Sequence, residues 1–88
     1  MSKSRTKYQV LFYVLFTNGK YDILGETVTV PNGASEREIA MEASMWLDRR
    51  LERLYNEGKI PNVVKQGLTK YGCPEFAVHS IYPNMEKY

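Results

Sequence analysis

Cysteine and histidine each occur once in the 88 residues, as Cys73 and His79, and these two side chains are the first candidates for nucleophilic chemistry. An imidazole beside a thiol can take its proton and leave a thiolate able to attack an electrophile. Here the two are separated along an apolar, β-rich stretch that begins with Pro74 and Glu75, and this spacing sets no such geometry. A buried thiol and a strand histidine account for both. One cysteine cannot close an intrachain disulfide, and one Cys with one His falls short of the four ligands of a structural zinc site. The acidic residues of the 36–52 region fall on what reads as a solvated helix face, not as a general acid facing a general base. There is no phosphate-binding glycine loop, no Gly-x-Ser-x-Gly elbow and no His-Glu-x-x-His pair. The expectation is a non-enzymatic chain with no cofactor and no metal.

The basic residues form two groups, Lys3, Arg5 and Lys7 near the start and Arg49, Arg50 and Arg53 further on, with Lys59, Lys65 and Lys70 beyond. A net charge of +2 does not by itself argue for nucleic acid. Residues 1–7 have no acidic residue and no apolar periodicity, so they read as a mobile basic arm. Together the two groups make a candidate phosphate-binding patch, and nucleic-acid binding is the alternative function they support. The motifs of the common RNA- and DNA-binding modules are absent. Arg50 has two readings: an aliphatic stem lying along apolar surface with its head in water, or a guanidinium gripping a carboxylate or phosphate.

The elements that must position these residues are organised around residues 8–16, Tyr-Gln-Val-Leu-Phe-Tyr-Val-Leu-Phe. Aromatic and β-branched residues suit a pleated, half-buried surface, and Asn18-Gly19 can supply the positive φ angles of a type I′ hairpin turn. Period two puts Tyr8, Val10, Phe12, Val14 and Phe16 on one face and Leu11, Tyr13 and Leu15 on the other. Both faces are apolar, so this strand belongs in the middle of its sheet. A second strand follows over 20–30. Strict pairing across a two-residue turn would set Thr27 rather than Val28 beside Val10, so a bulge is expected at Leu24-Gly25, with Leu24 and Asp22 on the face of Leu11 and Tyr13.

Ser35-Glu36-Arg37-Glu38 fits a capping box, and the helix it starts can run to about Asn56, with Gly58 as its stop. Its apolar stripe contains Ile39, Ala40, Ala43, Trp46, Leu47, Leu51 and Leu54, interrupted by Arg50; Met41 and Met45 lie among the polar residues opposite. The weak spacing of Val64, Leu68 and Tyr71 leaves room for a short second helix near 62–71. Residues 75–82 read as a third strand and 84–88 as a tail.

The fold expected is α+β, in the order β-β-α-β, with a three-stranded antiparallel or mixed sheet of order 2-1-3 on one long helix, in a single domain over 8–83. One helix covers one sheet face, so the other is left for residues 59–72 or for another molecule. The candidate partner-binding residues are Leu11, Tyr13, Leu15 and Leu24 on that face, with Met41 and Met45 on the helix. A protein partner or self-association as a homodimer is the expected mode of action. The lone cysteine suits the cytoplasm. The apolar run is too short for the ~20 residues of a membrane span, and no small-residue cleavage site follows it as in a signal peptide.

Overall fold

The computed structural model describes residues 5–65, 67–70, 72 and 74–83. It contains β1 (Arg5–Leu15), β2 (Tyr21–Pro31), α1 (Glu36–Asn56) and β3 (Ala77–Pro83), an α+β arrangement with sheet order β2-β1-β3. Both pairings are antiparallel. The apolar strand is central, as its two apolar faces require.

The hairpin differs from the expected one in a way that exchanges the faces of residues 21–24, while Val28 and Val30 lie on the face of Val10 where they are expected. Phe16 N–H donates to the Lys20 carbonyl at 2.8 Å and Gly19 N–H to the Phe16 carbonyl at 3.0 Å, so the loop is Thr17, Asn18 and Gly19, and Gly19 alone takes a positive φ, 87°. A three-residue loop with a left-handed glycine shifts the register by one residue relative to a type I′ turn. Tyr8 then faces Val28 and Phe12 faces Leu24 in an unbroken ladder, and the bulge expected at Leu24-Gly25 does not occur. Leu24, Asp22 and Glu26 therefore lie on the helix side, while Tyr21 and Ile23 share the face of Leu11 and Tyr13. A bulge does occur in the sheet, on β3, where His79 is the extra residue between the pairs Leu11–Ser80 and Phe12–Val78.

The capping box is formed in both directions: Glu38 N–H donates to Ser35 Oγ at 3.2 Å and Ser35 N–H to Glu38 Oε1 at 3.1 Å. The Ser35 backbone N–H, and after it the Ser35 hydroxyl, hold the Glu38 carboxyl below its ordinary pKa of 4.5. Gly58, with φ 76°, follows the C-cap residue Glu57. The helix buries Ile39, Ala43, Ser44, Leu47 and Leu51 against Val10, Phe12 and Val14 of β1 and Val28 and Val30 of β2. Burial of each large apolar side chain contributes about 1.5–3 kcal/mol. Trp46, expected in the stripe, is 50% exposed at its flank.

β1 begins three residues earlier than expected. Arg5, Thr6 and Lys7 pair with Pro31, Val30 and Thr29, so these residues belong to the sheet and not to a mobile arm. Residues 1–4, Lys3 among them, and the expected tail 84–88 lie outside the described residues. No helix forms among the described residues of 62–71. Instead Thr17 N–H donates to the Asn62 carbonyl at 2.9 Å and Val64 N–H to the Leu15 carbonyl at 2.8 Å, continuing along the β1 edge that β3 occupies further back. Val63 and Phe76 then turn into the core, where the Phe76 and Phe12 rings lie 6.0 Å apart.

Candidate protein-binding surface

Backbone alternation places Arg5, Lys7, Gln9, Leu11, Tyr13 and Leu15 of β1 on the sheet face turned away from α1. Tyr21 and Ile23 join them from β2, and Ala77, Ser80 and Tyr82 from β3. Tyr13 is the hub. Its ring meets Tyr21 edge-on with centroids 6.3 Å apart and His79 at 5.1 Å, geometries that aromatic pairs favour. His79 is placed there by the bulge, and its Nδ1 lies 2.8 Å from Ser80 Oγ. Tyr13 remains 41% exposed and Tyr21 68%, so the 60–65 segment, which runs along the strand edge, leaves this face uncovered. Among its described residues the face carries no carboxylate; Glu75 stands at its rim beside Leu15 and Val64.

Of the residues singled out from the sequence, Leu11, Tyr13 and Leu15 are brought together here, and Leu24 is not, because it packs into the core from the other side. Tyr21, Ile23, His79 and Tyr82 belong to the surface without having been singled out. Tyr82 could have been found from the alternation of its strand, whereas His79 depends on the bulge. Met41 lines a hollow of about 340 Å³ between α1 and the 68–78 stretch, with Phe12, Ser44 and Phe76, and Met45 is half-buried on the helix. The basic group is divided as well. Arg5 and Lys7 lie at one end of the open face, Arg49 and Arg53 on the outside of α1, and Arg50 turns back to the sheet.

Arg50 shows why the face, and not the sheet edge, is the accessible surface. Since Phe16 and Lys20 form a bonded pair, even-numbered β1 residues bond to β2 and Leu11–Gly25 is a non-bonded pair. The Gly25 carbonyl therefore points outward, and Arg50 Nη2 donates to it at 2.8 Å. Arg50 Nη1 also stands 3.4 Å from Glu26 Oε1, a buried oxygen with no aligned hydrogen bond that is compensated by charge alone. The outward Ile23 N–H donates to Asp22 Oδ1 at 2.8 Å, and Pro31 has no N–H to offer. The β2 edge is thus obstructed at three places. The β3 edge is short, bulged and closed by Pro83. These are the devices by which sheets avoid pairing edge to edge.

Among the described residues no helix is long and apolar enough to cross a membrane, and no three His, Cys, Asp or Glu side chains converge as metal ligands. No family model, curated protein or solved structure matches the chain.

Proposed function

We propose that the chain is a small non-enzymatic binding module of the cytoplasm that presents its open sheet face to another protein. The observation that carries this reading is the uncovered cluster of Tyr13, Tyr21 and His79 with Leu11, Leu15 and Ile23 on a face whose described residues include no carboxylate inside the rim where Glu75 stands. Tyrosines and aliphatic residues on a preformed sheet offer a partner large apolar area at small cost in side-chain entropy. The obstructed edges direct a partner onto the face, and a lone cysteine suits a reducing compartment.

A second reading has its own observation. Arg5 and Lys7 share the face with Tyr13, Tyr21 and Tyr82, and single strands bind to sheets that combine stacking rings with cations. Tyr82, opposite Gln9, stands next to Lys7, but the reading ranks second because the Tyr13–Tyr21 pair lies four residues beyond Gln9, about 13 Å further along the strand, with Leu11 between.

A photo-crosslinking residue placed at Tyr21 tests the two together, with the exposed Lys59 beyond the helix as the control position. A discrete protein adduct from position 21 only, lost when Tyr13→Glu is added while the far-UV circular dichroism is unchanged, is the expected result, because the new carboxylate would be buried only in the complex. Capture of nucleic acid alone, or unfolding of the Tyr13→Glu monomer, overturns the reading.

A further inference from the structure

The outer face of α1 carries a second pattern, independent of what the sheet face binds. Glu38, Glu42, Arg49 and Arg53 recur at helical spacing in a row turned away from the stripe of Ile39, Ala43, Leu47 and Leu51, with Met45 on one side of the row and Trp46, beside the stripe, on the other. Trp46 is half exposed yet held in one pose: its Nε1–H donates to Glu42 Oε2 at 3.1 Å, and the Arg49 guanidinium lies over the ring, 5.3 Å from its centroid. Within this row the acids precede the ring and the bases follow it, whereas Arg37, Asp48 and Glu52 lie outside the row.

We propose that this face docks on the same face of a second copy of the chain, with the two helices antiparallel about a two-fold axis between Met45 and Trp46. In that arrangement Glu42 faces Arg49 of the other copy and Glu38 faces Arg53, each contact occurring twice as two-fold symmetry requires, while Trp46 and Met45, on opposite sides of the row, each meet their own counterpart across the axis. A wholly acidic partner would meet Glu38 and Glu42, and a wholly basic one Arg49 and Arg53. Only a surface with the charges in reversed order satisfies both ends, and this helix, turned around, is such a surface. The order of charges also complements the helix dipole. The dipole, however, does not require an exposed indole at the midpoint, fixed by one residue from each charge group. Tryptophan and arginine are the side chains that most often anchor interfaces.

Sedimentation equilibrium of the full chain over a wide concentration range tests the proposal, with the emission of Trp46, the only tryptophan, as a second readout. The wild type should dimerise, with the emission shifting to the blue as the dimer forms. Glu42→Arg and Arg49→Glu should each weaken dimerisation at least tenfold, since each sets like charges opposite one another. An equimolar mixture of the two variants should restore the dimer, because every facing pair is then of opposite sign. If Glu42→Arg loses helix, Arg53→Glu at the exposed C-terminal end gives the same reading by dissociating the dimer. A wild type that stays monomeric, charge swaps that leave the dimer intact, or a mixture that does not reassociate overturns the proposal. So does a dimer broken by Tyr13→Glu but not by the swaps, which would place the contact between sheet faces.

Discussion

Replacing Arg50 by methionine keeps an apolar stem over the sheet and removes the guanidinium that ties α1 to the edge of β2. Two losses follow. The charge-assisted bond to the Gly25 carbonyl contributes about 1 kcal/mol, since that carbonyl can turn to water instead. The Glu26 side chain, only 18% exposed, is left without its counter-charge at a further cost of about 1 kcal/mol, held down because the arginine is itself 39% exposed and screened. The sum of about 2 kcal/mol corresponds to a fall in Tm of about 10 °C for a domain of this size. Urea unfolding of Arg50→Met, Glu26→Leu and the double variant gives the coupling between the two positions. The double variant should recover about half of the loss, because no buried carboxylate remains to be compensated. Arg50→Met within about 0.5 kcal/mol of wild type would refute the argument that this guanidinium straps the edge. A double variant as unstable as the two single changes added together would refute the pairing with Glu26.

Two further predictions concern the helix start. Ser35→Ala removes the acceptor for Glu38 N–H and should cost about 1 kcal/mol in chemical denaturation, with a null result placing the helix start elsewhere. Because the folded pKa of Glu38 lies below its ordinary value of 4.5, its contribution to stability is present above that value and is lost as pH falls through the lower folded pKa. Acid titration of Glu38→Gln should accordingly show a smaller loss of stability below pH 4.5 than wild type, and superimposable profiles would remove this contribution.

The helix was legible because its signals agree: a capping box at Ser35, an apolar stripe through Ile39, Ala43, Leu47 and Leu51, and a glycine stop at Gly58. The central strand was legible from its two apolar faces. The face of β2 was not, for a specific reason. Tyr21, Ile23 and Leu24 are apolar at both parities, so the residues nearest the turn do not say which side is buried, and alternation begins only at Thr27-Val28-Thr29-Val30. An Asn-Gly pair serves two-residue and three-residue loops alike. Between the loop and the expected bulge, one residue of difference moves each side chain across the sheet, and that is how Leu24 entered the core while Ile23 took its place. Trp46, Val63 and Phe76 escaped for another reason. Their positions follow from how far β2 extends beneath the helix and from which stretch of β1 edge β3 leaves free.

The pairing of β1 also has a consequence for the order in which the chain becomes safe from aggregation. Its edge with β2 can close as soon as the first hairpin exists, since those partners are near in sequence. Its other edge waits for Asn62 and Val64 after the helix, and for β3, whose Pro83 reaches back to Tyr8. Until those residues are made and docked the most apolar strand therefore stands half-paired, with no strand before residue 60 on its second edge. Non-local pairings of this kind are slow to form, and an unpaired apolar edge is a template for other chains. A polypeptide halted after Gly58 would hold the hairpin, the capped helix and most of the core residues, and would still present the length of β1 as an open seam.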